Sequence, residues 1–131
     1  MNKEYEKLYN EAVKISENAY APYSGFKVGA AILTEEGKVY KGVNIENASY
    51  GATICAERSA VCTAITDGKR RFKAIAIYSP NGASWPCGIC RQVLWEFSPN
   101  MNVIARNDLG EPELIKLEEL LVNGFKLERE E

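Results

Sequence analysis

The chain has 131 residues, a length that fits one domain, and its 46% hydrophobic and 26% charged residues are ordinary for a globular protein. A net charge of −2 disfavours nucleic-acid binding as the main function, and no apolar stretch approaches the roughly 20 residues of a membrane-spanning helix. The charged N-terminal residues are unlike a signal peptide. We therefore expect a single domain over residues 1–131, in the cytoplasm, with neither nucleic acid nor membrane as a partner.

The N-terminal part of the sequence predicts a helix followed by a hairpin. Apolar residues recur at helical spacing over residues 2–19, which indicates an amphipathic helix, and a segment with Pro and Gly ends it. Residues 27–34 and 38–43 flank the short turn 35–37, which contains a glycine. This pattern is typical of an antiparallel hairpin.

From residue 54 onward the pattern alternates between helices and strands. Helices are predicted over residues 55–66, 87–97 and 117–122, and strands over 74–78 and 103–105 and around Ile115. This order predicts an α/β fold: a three-layer α/β/α sandwich around a mixed five-stranded sheet, in which an N-terminal antiparallel hairpin is followed by alternating helices and strands.

The sequence has four cysteines and no histidine, so thiolates and carboxylates must carry any metal binding. Cys55, Cys87 and Cys90 stand where two predicted helices begin, a position that favours thiolate over thiol. If each helix follows a neighbouring parallel strand, the two helix starts converge at the carboxyl edge of the sheet. Three Cys ligands hold Zn²⁺ and leave its fourth position for water, as in catalytic zinc sites. We therefore predict one catalytic zinc per chain.

Two other interpretations of these cysteines remain. A purely structural zinc takes four protein ligands, and Cys62 is the only candidate for the fourth. It follows Cys55 by seven residues, roughly 10 Å along one helix, so we interpret it as a small buried apolar side chain. A redox Cys-x-x-Cys site is the second interpretation, and it leaves the Cys-x-Glu motif at residues 55–57 without a role.

Three further residues stand close to these ligands in sequence. Glu57 is two residues from Cys55, so its carboxylate can move the protons of a metal-activated water without binding the ion. Three thiolates and Zn²⁺ sum to −1, and Arg58, one helical turn after Cys55, can donate to the sulfurs and offset that charge. We predict the same role for Gln92, on its proximity to Cys90.

Together these motifs resemble the zinc-dependent cytidine and deoxycytidylate deaminases, and within them the small homotetrameric cytidine deaminases with three cysteine ligands. The matching segments are residues 21–31, 42–49, 55–58, 86–92 and 119–125. The resemblance implies zinc-dependent hydrolytic deamination of cytidine and 2′-deoxycytidine to uridine and deoxyuridine, with release of ammonia, as in pyrimidine salvage. It also implies that Cys55, Cys87 and Cys90 hold the zinc and that Glu57 is the catalytic proton carrier.

The resemblance also implies which residues bind the nucleoside. Asn44 and Glu46 would hold the ribose 3′-hydroxyl, and their alternation puts both side chains on one side of an extended segment, with Ile45 turned to the core. A polar loop that caps itself is the alternative for this pair.

Three more residues of the matching segments have implied roles at the substrate. Phe26 would pack on the pyrimidine face, and the backbone of Ala56 would orient the ring or its amino group. Phe125 resembles an aromatic that reaches the site of a neighbouring subunit, in a homotetramer. Val122 stands where the family usually has Pro, which predicts a looser final loop.

Three other functions share parts of this pattern. An antibiotic deaminase of the blasticidin type has the same metal signature, although Asn44 and Glu46 favour a ribose. A nucleotide or tRNA deaminase usually has His in place of Cys55, and its substrate calls for more basic charge. A zinc-stabilised binding protein would keep the metal and the fold without needing Glu57.

Overall fold

The computed structural model describes residues 1–127, so residues 128–131 of the expected domain lie outside the described part. In chain order, its elements are α1 (Lys3–Ile15), β1 (Gly29–Thr34), β2 (Val39–Val43), α2 (Ala56–Thr66), β3 (Phe72–Tyr78), α3 (Gly88–Phe97), β4 (Asn102–Arg106), β5 (Pro112–Lys116) and α4 (Leu117–Leu120), with short 3-10 turns at Ser16–Asn18 and Tyr50–Ala52. Among the described helices, none is both long and apolar enough to cross a bilayer.

The five strands of the described residues form one mixed sheet in the order β2-β1-β3-β4-β5. Strand β1 pairs antiparallel with both β2 and β3, β3 runs parallel to β4, and β5 returns antiparallel to β4. The predicted hairpin and the predicted mixed five-stranded sheet are therefore confirmed.

Helices cover both faces of this sheet, as alternation along β1 shows. Ala31 and Leu33 face one side and pack with α1, whereas Ala30 and Ile32 face the other side and pack with α2. Gly42 allows α2 to lie directly on β2, because a Cβ at this position would be 2.3 Å from the backbone nitrogen of Ala60. The three-layer arrangement is confirmed, and this close approach fixes the start of α2 over the sheet.

Side-chain hydrogen bonds shorten two of the predicted elements. Helix α1 ends at Ile15 and continues as a 3-10 turn, where the Ser16 hydroxyl donates to the carbonyl of Val13 at 2.7 Å. Strand β1 begins at Gly29 instead of residue 27, because the Val28 N–H donates to the Asn44 side chain and not to a neighbouring strand.

Three sequence-based expectations were wrong. Helices α2 and α3 do not follow neighbouring parallel strands: β2 and β3 run in the same direction, but β1 lies between them. Cys62 is exposed instead of buried, because α2 turns Ala60, Val61 and Ala64 to the core and Cys62 away from it. Ile45 is 44% exposed, since its segment leaves the sheet and forms only single bridges with its neighbours.

Candidate active site

Two helix starts bring three sulfur atoms together. Cys55 is the N-cap residue of α2, Cys87 is the N-cap residue of α3, and Cys90 lies in the first turn of α3. Their Sγ atoms all lie within 4.8 Å of one another, and this is the only such group of potential metal ligands in the described part of the chain. All four cysteines are free thiols, and Cys62 is not a member of the group.

The protonation of the thiols is set mainly by the cluster itself. A hydrogen bond from the Cys90 thiol and then the adjacent Arg58 guanidinium lower the pKa of Cys55, against the effect of its burial. The bond to Cys55 and burial raise the pKa of Cys90, which is fully buried. The Cys55 and Cys90 thiols are therefore directly coupled to each other within the sulfur cluster.

Arg58 lies beside the cluster. Its Nη2 is 3.6 Å from the Cys55 Sγ and 3.4 Å from the carbonyl oxygen of Thr53. Its buried Nε has no hydrogen-bond partner within the described residues. The guanidinium thus directs its charge at a sulfur and is held by the chain that leads into α2.

Glu57 is a buried carboxyl group in the first turn of α2. It is only 5% exposed, and burial raises its pKa to about 7. A carboxyl group whose pKa lies near neutrality can both accept and donate a proton. The side chain therefore has the properties of an acid–base group next to the sulfur cluster.

Glu57 and two of the sulfurs open onto one cleft of about 210 Å³. Six of its lining residues were predicted as site residues: Phe26, Asn44, Cys55, Ala56, Glu57 and Cys87. The other six are Val28, Thr53, Ile54, Ala83, Ser84 and Trp85. The cleft is thus polar at the end that Cys55, Glu57 and Cys87 line, and largely apolar along its other walls.

Asn44 and Glu46 both make hydrogen bonds within the chain. Asn44 accepts from the Val28 N–H and donates to the Phe26 carbonyl, both at 2.8 Å. One Glu46 oxygen accepts from the N–H groups of Tyr23 and Ser24, at 2.9 and 3.1 Å, and the Ser24 hydroxyl donates to the other oxygen. The two side chains therefore hold the segment around Phe26, and only Asn44 lines the cleft.

Gln92 and Phe125 are brought together, but away from this cleft. The Gln92 amide donates to the carbonyl of Phe125 at 2.8 Å, so it is not turned toward the sulfurs. Residues two apart on a helix point to nearly opposite sides, and Gln92 follows Cys90 by two. The Phe125 side chain is 65% exposed and is not among the residues that line the cleft of its own chain.

Comparison with known proteins gives a consistent result. The family model for the "cytidine and deoxycytidylate deaminase zinc-binding region" matches residues 2–106. The chain belongs to this family. Cytidine deaminases of Sporosarcina psychrophila and Halalkalibacterium halodurans are 47% and 46% identical to it, over 94% and 92% of this chain and 92% and 93% of theirs. The crystal structure of cytidine deaminase from Burkholderia pseudomallei matches with a TM-score of 0.86 and 43% identity, over 95% of this chain and all of that one.

The donor set of this deaminase family member fits one Zn²⁺ per chain. Three sulfur atoms converge, and the positively charged Arg58 guanidinium lies 3.6 Å from one of them. A redox disulfide accounts for only two of these sulfurs. A four-ligand structural zinc is disfavoured, because the described residues offer no fourth ligand in the group.

The sequence analysis missed half of the cleft. Val28 and Trp85 each stand two residues from a predicted site residue, Phe26 and Cys87. Because side chains two apart in an extended segment share one side, this alternation was a usable signal. Ser84 had no such signal: its buried hydroxyl donates to the carbonyl of Ile77 at 2.8 Å and accepts from the N–H of Arg106, which is 22 residues away in sequence.

Proposed function

We propose that this chain catalyses the zinc-dependent hydrolytic deamination of cytidine and 2′-deoxycytidine, giving uridine or deoxyuridine and ammonia. The observation that carries the proposal is the convergence of three sulfurs, two of which line one cleft together with a buried carboxyl group. A binding protein that uses zinc only for stability would not need a buried Glu57 beside the sulfurs in that cleft. The function of the similar proteins supports the same reaction.

Glu57 carries the protons in this reaction. Cys55, Cys87 and Cys90 would hold the zinc, which would lower the pKa of water and so supply a nucleophile at neutral pH. Glu57 accepts a proton from the attacking water and delivers it to the ring nitrogen beside the amino-bearing carbon. It then takes the second proton from the hydroxyl group that has added to that carbon and delivers it to the amine, so that the C–N bond breaks, ammonia leaves and the carbonyl group forms. Burial supports this role, because it keeps the proton-carrying form accessible near neutral pH.

The nucleoside is oriented by groups that retain hydrogen-bonding capacity. Asn44 keeps one N–H and one lone pair beyond its two bonds to the chain, and Glu46 keeps one unused acceptor position. The remaining N–H of Asn44 can donate to the oxygen of a sugar hydroxyl, and the remaining acceptor positions of Asn44 and Glu46 can accept its proton. Phe26 packs on the pyrimidine, and the N–H of Ala56, the first residue of α2, needs no partner inside the helix and is available to the substrate.

The charge of the cleft favours a nucleoside over a phosphorylated substrate. Of the described residues that line the cleft, none is Lys or Arg. A nucleotide or an RNA would bring phosphates, which proteins usually bind with such cations or with helix N-termini. Arg58 does not fill that role, because it is directed at the Cys55 sulfur.

A homotetramer is part of this proposal. Tyr20, Tyr23, Ile45 and Tyr50 are 44 to 81% exposed. Tyr20 and Ile45 pair through their backbones, and the Tyr23 N–H donates to the side chain of Glu46, the residue after Ile45. An exposed apolar group of this kind is typical of an interaction surface. Second copies of the chain are its partners, and light scattering tests the subunit number.

The proposal also includes one domain over residues 1–131 and a role in cytoplasmic pyrimidine salvage.

The direct test measures ammonia release from cytidine, deoxycytidine, cytidine monophosphate and blasticidin S, with a zinc count on the same sample. We expect both nucleosides to be deaminated, with little turnover of cytidine monophosphate and blasticidin S. A chelator strong enough to remove zinc from cysteine ligands should abolish the activity. One firmly held zinc per chain without ammonia from any of the four would contradict the proposal in favour of a binding protein. Preferred turnover of the monophosphate or of blasticidin S would reassign the substrate.

A further inference from the structure

Asn81 connects two chain segments that form walls of the cleft. Its side-chain oxygen accepts a hydrogen bond from the Lys27 N–H at 2.9 Å, across 54 positions of sequence. Strand β1 begins at Gly29, so the described sheet does not pair the Lys27 N–H. One side chain thus joins the segment 26–28, which precedes β1, to the loop 79–87, which connects β3 to α3 and is called the β3–α3 loop below.

The ring of Phe26 lies against the same loop. A Cβ on Gly82 would be 3.4 and 3.6 Å from the Cε2 and Cζ atoms of that ring, which is ordinary van der Waals contact. Phe26 is 37% exposed and belongs to neither of the buried clusters of the described residues, so the core does not fix its orientation. The position of the ring therefore depends on how the β3–α3 loop and the Phe26 segment are held together.

The β3–α3 loop is itself attached to strand β4. The Arg106 guanidinium donates to the carbonyl of Ser79 at 2.6 Å, and the backbone N–H of Arg106 donates to the Ser84 hydroxyl at 2.9 Å. The Ser84 N–H donates back to the carbonyl of Arg106 at 2.9 Å, and both serines are buried. The N–H of Asn81 donates to the Ser79 hydroxyl at 3.1 Å. Asn81 therefore projects from a loop whose position is fixed relative to the sheet.

Two amide side chains share the backbone of the Phe26 segment. Asn44 bonds to the carbonyl of Phe26 and to the N–H of Val28, and Asn81 bonds to the N–H of Lys27 between them. Asn44 lines the cleft, whereas Asn81 is not among the described residues that line it. Asn81 thus holds the segment without being placed to contact a bound molecule.

We infer that Asn81 is a positioning residue: by holding Lys27 to the β3–α3 loop, it sets the position of the Phe26 ring relative to the opposite wall and so the affinity for the nucleoside. Phe26 lines the cleft from one of the joined segments, and Ala83 and Trp85 line it from the other. The inference rests on the proposed deamination, which makes a cytosine nucleoside the occupant of the cleft. Without the bond, the ring occupies its binding position only part of the time, and the apparent affinity falls by that fraction.

Replacing Asn81 should change substrate binding more than chemistry. Asn81→Leu removes the acceptor oxygen at similar side-chain size, and we expect the KM for cytidine to rise about fivefold, the effect of one ordinary hydrogen bond. The value of kcat and the zinc content should stay near wild type, because the substitution leaves the sulfurs and Glu57 in place. Asn81→Asp keeps an oxygen that accepts from the Lys27 N–H and should restore the wild-type KM. Asn10→Leu, an exposed change on α1, is the control.

A double-mutant cycle tests whether Asn81 acts through the aromatic ring. Phe26→Ala should raise KM at least as much as Asn81→Leu, and the double variant should be no worse than Phe26→Ala alone. Increases in KM that multiply in the double variant would overturn the inference. An unchanged KM in Asn81→Leu would do the same, as would a KM in Asn81→Asp as high as in Asn81→Leu. A fall in kcat with loss of zinc in Asn81→Leu would show that the loop acts on Cys87 instead.

Two measurements without turnover separate this inference from the proposed function. The Lys27 amide should exchange hydrogen faster in Asn81→Leu than in the wild type and in Asn81→Asp. Calorimetry on zinc-loaded Glu57→Gln should show cytidine binding that Asn81→Leu weakens by the same factor as KM. If both effects appear but the wild type releases no ammonia from cytidine, the positioning role stands and the proposed reaction is wrong.

The opposite result rejects the positioning role alone. Ammonia release by the wild type, together with unchanged Lys27 exchange or with cytidine binding that does not respond to Asn81→Leu, would leave the reaction intact and overturn the inference. A protein that neither binds cytidine nor releases ammonia from it would reject both.

Discussion

The Arg58 guanidinium lies against the Cys55 sulfur, with 3.6 Å between Nη2 and Sγ, and also donates to the carbonyl of Thr53 at 3.4 Å. One side chain therefore connects the segment that enters α2 with the first metal ligand. We propose that this cation would also offset the surplus charge of three thiolates on a dication.

Replacing Arg58 tests the importance of that charge. Groups that hydrogen-bond to metal ligands typically change activity or metal affinity 10–100-fold when they are removed, so we expect about this loss in Arg58→Gln. Arg58→Lys should lose less, because it keeps the charge. Arg71→Gln, which removes an exposed guanidinium at the start of β3, is the control. If Arg58→Gln kept the wild-type kcat and zinc affinity, the negative charge of the sulfurs would need no compensation by this guanidinium.

Asn44 should affect both stability and substrate affinity. Asn44→Ala leaves the Val28 N–H and the Phe26 carbonyl without their partner, which costs about 1–2 kcal/mol of unfolding free energy. The KM for cytidine should also rise, because Phe26 loses its support. Denaturant unfolding and steady-state kinetics measure the two effects, with Asn100→Ala as the exposed control. A loss of stability without any change in KM would reduce Asn44 to a structural residue.

We expect the difference in stability between the wild type and Glu46→Gln to depend on pH. The Ser24 hydroxyl, together with the N–H groups of Ser24 and Tyr23, holds the pKa of this carboxyl below its ordinary value of 4.5. A lowered folded-state pKa stabilises the fold above the unfolded-state pKa, and this contribution disappears as pH falls through the folded value. Wild type should therefore be more stable than Glu46→Gln at pH 7, and the difference should shrink below pH 4.5. A difference that is constant over this range would exclude the ionised carboxylate as its source.

Cys62 should be the one reactive thiol of the zinc-loaded protein. It is exposed and lies outside the sulfur cluster, whereas the other three cysteines form that cluster and are the proposed metal ligands. A thiol reagent should modify one cysteine per chain quickly, and more only after zinc is removed by a chelator. Cys62→Ser should lose the fast reaction and keep one zinc. Loss of zinc in that variant would restore the four-ligand structural interpretation.

The sequence predicted the parts of the site that depend on local geometry. Cys55 and Cys87 were placed correctly because an N-cap position is set by the few residues around it. Gln92 was assigned to the sulfurs on closeness in sequence, but its partner, Phe125, is 33 residues away and gives no local signal. The burial of Ile45 and Cys62 was mispredicted because Ile45 lies in a segment that leaves the sheet and Cys62 lies on the face of α2 that is turned away from the core.

The most direct test of the central claim is the turnover of Glu57→Gln, with zinc content and folding measured on the same sample. The account predicts one zinc per chain, a folded protein, and ammonia release from cytidine lowered about 10²–10⁴-fold, the usual contribution of a positioned acid–base group. Glu118→Gln, an exposed change on α4, should retain full activity. Near wild-type ammonia release by zinc-loaded Glu57→Gln would contradict the account, because no proton would then need to pass through this carboxyl group.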